Sequence, residues 1–396
     1  MRRPFWWWCS CLFVMLWSAR GHAWNIADHQ SLTSKSLAAV STAWNLQQPV
    51  YVTAWADFLQ HIAPRLGIAP TSLAFALWME TDPAIALGHL GTDEYPGQHT
   101  TPLQILVAHV ADPDDGRDNH LYLRDANGQI VHDADGNATP RYPHLAFMGG
   151  PDSQAYRHME RPPFSLAHWK STLGFPLGTF GMASTQAQRY FDLALMARAV
   201  GEPYWAWRFI AGALHYVQDL GQPYHGAQFP WCSPYALLTV QWWRAQQQLG
   251  LIAVGTRLLS NSHLWFEDFT AQITHNTAPV FTHDARTASL HTALNGTNTF
   301  EMSHRSIRDL ARFIRDDSNQ RVLDLVDAVF WMSGPRLLSL YEYPQSGDNP
   351  SDFLRTEPDE HFTHALDDYF RITAAALAES ATATRTLVKA AREAGM

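Results

Sequence analysis

Cysteine is scarce in this chain, with three among 396 residues, at Cys9, Cys11 and Cys232. The first two fall in MRRPFWWWCSCLFVMLWSARGHAW, where Arg2 and Arg3, an apolar run from Pro4 to Trp17 and small residues ending in GHA give the layout of a secretory leader. Cleavage between Ala23 and Trp24 would leave one thiol and no internal disulfide, so an exported product must be held together by something else. The arginine pair suits both the general and the twin-arginine export route. Basic charge is also short, with 28 Lys and Arg against 37 Asp and Glu, a net charge of −9. Removing the leader takes three arginines and no acid, which lowers the charge to −12 and speaks against a duplex nucleic-acid partner. Beyond the leader no run of 18 or more apolar residues occurs, so no membrane-spanning helix is expected. Repeats and low-complexity tracts are missing as well.

What remains is a chain that is 46% hydrophobic and carries 20 histidines, enough for one sizeable domain over residues 24–396 with a compositional hint of metal. Apolar residues recur at helical spacing from Ser31 to about Arg65, broken near Pro49. A further helix is expected after Thr71, and others at 184–201, 203–220, 235–253, 257–270, 303–315, 320–342 and 363–394. Between Asp112 and about Phe180 the texture turns to Asp, Asn, Gly and Pro. There LYLRDANGQIVHDADGNATPRY reads as a small hairpin within a long loop insertion over 112–180, a candidate lid. The fold class is therefore all-α.

The chemistry gathers in ALHYVQDLGQPYHGAQF. His215 and Asp219 are four residues apart, about 40° from one another around a helix and on one face. His225 follows across the Gly221–Pro223 break, and NSHLWFEDF repeats the spacing with His263 and Glu267. One such pair alone is more often a simple hydrogen bond. Two pairs and a further histidine among apolar neighbours need partners, and a metal cluster supplies them.

HYVQDLGQPYH joined downstream by HLWFE resembles the bacterial zinc-dependent phospholipases C, which share their helical fold with the fungal single-strand-specific nucleases. GTDEYP and AHVADPDDG are similar to that family's upstream Asp and His elements, and WNIADH to its mature N-terminus, so the likeness spans Trp24 to Glu267. It implies three zinc ions: one on Asp93, His109, His215 and Asp219; a second on the freed amine and carbonyl of Trp24 and on His29, bridged by Asp219; and a third on His225, His263 and Glu267. It also implies that Asp93 is the general base, with Glu267 the next candidate, although TDEYPG is equally a good turn sequence. The implied reaction is phosphodiester hydrolysis by a secreted or periplasmic enzyme, in which clustered zinc lowers the pKa of water toward ~7.

Phospholipid is the expected substrate, with transient membrane-surface contact and no obligate protein partner. Glu267 as the last acid is the lipase-type form, whereas the short Trp24 to His29 interval is nuclease-like. Headgroup contacts would fall near Ala27, Asp28, Glu94 and Tyr95, a stretch that is also compatible with plain turn packing. The alternatives are a single-strand-specific nuclease or nucleotidase on the same fold, and a non-catalytic secreted protein that binds zinc or lipid.

Overall fold

The computed structural model describes residues 26–67, 96–114, 131, 132, 134, 155–161, 180–226, 245–275, 277, 281, 284–302, 305–337, 339 and 343–396. In chain order its elements are α1 (Ile26–Ala38), β1 (Val50–Tyr51), α2 (Trp55–Leu66), β2 (His99–Thr100), α3 (Pro102–His109), α4 (Ala155–His158), β3 (Glu160–Arg161) and β4 (Phe180–Gly181). There follow α5 (Ala183–Ala199), α6 (Pro203–Gly221), α7 (Pro223–Gly226), α8 (Ala245–Thr274), α9 (Ala285–Leu294), α10 (Ile307–Met332) and α11 (Glu360–Glu393). The class is all-α, as the periodicity predicts. Strand pairing among the described residues comprises two antiparallel two-residue ladders, Val50 opposite Thr100 and Glu160 opposite Gly181, and an isolated bridge between Ser333 and Leu354.

Local sequence sets many of the ends. Thr101 caps α3 in a reciprocal box with Gln104, and Ser306 does the same for α10 with Asp309. Pro203 opens α6 with φ already suited to a first helical position. α2 closes on Gly67 at φ 65, a left-handed conformation that glycine adopts without steric cost.

Several boundaries differ from the sequence expectation. The segments 235–253 and 257–270 form one helix, α8, which begins at Ala245 and runs straight through Gly255. A single glycine costs only about 1 kcal/mol in a helix interior, which does not by itself end a helix. Likewise α10 continues across the polar Asp316–Asn319 stretch, helped by an Asp317–Arg321 pair one turn apart, and it stops at Met332 before Ser333, Gly334 and Pro335. The helix expected after Thr71 lies outside the described residues, as does the hairpin apart from Val131, His132 and Ala134.

α6 is the central element, with every residue from Tyr204 to Gly221 buried. α3, α5, α10 and α11 surround it. Close approach is built in at two glycines. A Cβ on Gly212 would sit 2.5 Å from the Tyr190 ring of α5, and one on Gly221 would sit 1.9 Å from Ser380 Oγ of α11. Two apolar clusters result. One gathers α2, α3, α5 and most of α6, including Phe58, Trp205 and Leu214. The other gathers α8 to α11 around Phe266, Phe269 and Tyr369. Leu220 belongs to the first and Tyr224 to the second, so the His215 to His225 stretch lies where the two meet.

Candidate metal centre

α1, α6, α7 and α8 each bring polar side chains to this junction. Two more come from short segments: Asp114, just beyond α3, and His158, the last residue of α4. His29, His158, His215, Asp219 and His225 are fully buried, and Asp114, His263 and Glu267 nearly so. Burial of this kind is driven by the flanking apolar clusters, each large side chain contributing about 1.5–3 kcal/mol, and it obliges the polar atoms to find partners among themselves.

The first group is tight. His158 Nδ1 lies 2.9 Å from Asp219 Oδ2 and 2.9 Å from His215 Nε2, and His215 Nε2 is 3.3 Å from Asp219 Oδ2. Asp114 Oδ1 stands 3.5 Å from both His158 Nδ1 and His215 Nε2. For tetrahedral metal–ligand bonds of about 2.0–2.1 Å, the edges of the tetrahedron are roughly 3.3 Å. The five separations in this group bracket that value.

The same two carboxylates face His29 with their other oxygens, its Nε2 being 3.3 Å from Asp219 Oδ1 and 3.7 Å from Asp114 Oδ2. His29 Nε2 and Asp219 Oδ1 make no hydrogen bond although both are buried. An unmet buried polar atom costs about 1–3 kcal/mol, and a cation between them would satisfy both.

The third group is separate. His225 Nε2 and His263 Nε2 are 3.1 Å apart, and Glu267 Oε1 is 2.7 Å from the His263 nitrogen and 3.9 Å from that of His225. His225 Nδ1 faces the His158 backbone carbonyl at 2.8 Å, so the proton belongs on Nδ1 and the bare Nε2 turns to the group. Gln222 ties the loop together, donating from Nε2 to Glu267 Oε1 while its Oε1 accepts from the backbone N–H groups of Tyr224 and His225.

The electrostatics point the same way. Burial raises the Asp219 carboxyl, but the His215 and His158 imidazoles outweigh it and hold the group well below the usual carboxylate range. Burial works against a charged His29, yet Asp219 and Asp114 outweigh it and make the ring more basic. Glu267 moves the other way, pushed well above its ordinary range by burial and then by Asp268, Asp114, Asp219 and Asp28. A centre that crowds buried carboxylates in this manner is short of positive charge. These buried His, Asp and Glu groups are fit to hold metal ions.

The ligand set implied by the resemblance is therefore kept in part. His29, His215, Asp219, His225, His263 and Glu267 converge, whereas Trp24 and Asp93 lie outside the described residues. Among the described residues His109 joins no such group. Its Nδ1 is 3.0 Å from Asp112 Oδ2, which also accepts from Arg208 Nη2 at 3.3 Å, and its ring stands edge-on to Tyr204. Its expected co-ligand Asp93 lies outside the described residues. Asp114 and His158 stand in the first group beside the residues the resemblance implies. Asp114 lies within the DPDDG string, but His158 sits in the insertion with no ligand-type residue one turn away, and no local pattern marks it. Asp28, near the expected headgroup contacts, is buried against Thr274 and His275, with Asp28 Oδ1 3.3 Å from His275 Nε2. Compared with protein-family models, curated proteins and solved structures, the chain matches none.

Proposed function

We propose that the protein is a secreted or periplasmic zinc-dependent phosphodiester hydrolase of the phospholipase C type, releasing a phosphorylated headgroup from phospholipid. The observation that carries this reading is the buried convergence of Asp114, His158, His215 and Asp219 at tetrahedral-edge distances, shared with His29 through two carboxylates. Imidazole and carboxylate without thiolate is a donor set that zinc accepts, and three ions are the number proposed. When bound, zinc would supply Lewis-acid charge for the phosphoryl oxygens and a more acidic water.

The side chains divide the remaining work. Asp219, held ionised by two imidazoles, is a poor proton acceptor and serves as a fixed negative bridge. Asp114 has looser separations of 3.5–3.7 Å from its imidazole neighbours. It would hold an ion with either oxygen, and the base role stays with Asp93, to which the resemblance gives it, accepting a proton from the attacking water at a carboxylate oxygen. His225, His263 and Glu267 would hold a separate ion, whose charge would draw the substrate phosphate. The acidic net charge is no obstacle, because a phosphate responds to the local field of the cleft.

The test uses leader-cleaved, zinc-loaded protein. Release of phosphorylated headgroup from phospholipid vesicles is measured beside nucleotide release from single-stranded nucleic acid. Headgroup release that stops with chelator and returns with zinc is the expected result. Nucleotide release alone would replace this reading with the nuclease one, and no release of either from metal-replete protein would overturn it.

A further inference from the structure

His29 has two ring nitrogens, and only a bare Nε2 can serve the centre. Its Nδ1 lies 2.8 Å from Gln218 Oε1, on the turn of α6 between His215 and Asp219. The Gln218 amide nitrogen donates to two threonines on different helices, Thr33 Oγ1 of α1 at 2.9 Å and Thr384 Oγ1 of α11 at 3.0 Å. All four side chains are fully buried, which excludes water as a substitute partner.

We infer that Gln218 is a positioning residue that selects Nε2 of His29 for metal binding, with Thr33 and Thr384 locking the amide in the orientation that does so. This rests on the metal-centre reading of the proposed function. A side-chain amide turned through 180° would present N–H to His29 Nδ1, force the ring proton onto Nε2, and turn a donor hydrogen toward Asp219 and Asp114 where a ligand lone pair is required. Thr33 and Thr384 each accept from the Gln218 nitrogen, which places both amide protons on their side and the oxygen toward His29. The last helix of the chain thus acts on the ion through two hydrogen bonds without touching it. Partners of this outer kind typically set metal affinity by 10–100-fold.

The test is zinc stoichiometry and affinity by chelator competition on the full leader-cleaved chain, for the wild type, Gln218→Leu, Gln218→Glu and the double variant Thr33→Val/Thr384→Val. The melting temperature of each in chelator reports folding separately. Gln218→Leu and the threonine pair are expected to weaken one ion by about 10–100-fold while the others bind as before. Gln218→Glu keeps an acceptor for the Nδ1 proton and is expected to hold all ions. Wild-type affinity in Gln218→Leu, or equal loss of every ion in the Leu and Glu variants, would overturn the inference. Should Gln218→Leu fail to fold, the threonine pair decides, with unchanged affinity overturning it. A wild-type chain that takes up no zinc would instead remove the metal-centre reading underneath.

Discussion

Asp219 meets three imidazoles of the centre at closer range than Asp114 does, with one oxygen against His158 and His215 and the other against His29. Asp219→Asn removes the charge that both halves share. Zinc content is expected to fall by more than one ion and most activity to vanish, with about 3–5 kcal/mol lost as imidazoles are left beside a neutral amide; elemental analysis with thermal unfolding checks this. His109→Gln is the contrasting case. It disturbs the Asp112 contact, costs about 1 kcal/mol, and should leave the metal content at the wild-type level. A matching loss of zinc would restore His109 to the ligand set. Most of the centre was legible at this scale because an i,i+4 spacing betrays a shared helix face, as with His215 and Asp219 or His263 and Glu267. His158 escaped because its partners are 57 and 61 residues away in sequence and spacing records only local geometry.

At the level of elements, the β3–β4 ladder explains how a short segment delivers His158. Glu160, two residues on, is buried and accepts from Arg315 at 2.6 Å and from the Ser184 backbone N–H at 2.9 Å, pinning the strand to α10 and α5. Opposite it Gly181 has φ 98, and a Cβ there would come 1.9 Å from the Met159 carbonyl oxygen. Gly181→Ala must therefore push β3 aside. A stability loss of at least about 1–3 kcal/mol and reduced zinc in the group containing His158 are expected, read by calorimetry and elemental analysis. The α10–α11 contact carries a pH signature of its own. Burial, then a hydrogen bond shared with Asp317, raises Glu379 to about 8 against the opposing effect of Arg321. The folded chain thus keeps this proton up to about pH 8, while the unfolded chain releases it near its ordinary 4.5. Bound protons then favour the native state, so this group's contribution to stability declines as pH rises from 4.5 to 8. Glu379→Gln should flatten the fall in melting temperature across that window. Helix existence was readable from apolar periodicity, whereas junctions were not: Gly255 and Asp316 to Asn319 look like breaks locally, yet one continuous helix runs through each.

For the molecule as a whole, the shortage of cysteine and the buried centre belong together. Were the leader cleaved as proposed, one thiol would remain and reductant would have nothing to break, so the melting temperature should be indifferent to dithiothreitol and sensitive to chelator. A ligand that binds only the native state at 1,000 times its dissociation constant adds about 4 kcal/mol, and scans with and without zinc would measure it. The all-α class and a junction of buried His, Asp and Glu groups able to hold metal followed from composition and motif. The close fit of α11 against Gly221 and Gln218 did not, because small residues and amides carry no periodic signal. That fit sets an order of events. Residues 360–393 follow every ligand-type residue of the centre in sequence, and Thr384 on that helix closes the hydrogen-bond chain to His29. Were the centre to hold ions as proposed, a nascent polypeptide could reach their final arrangement only once this distant segment had been made.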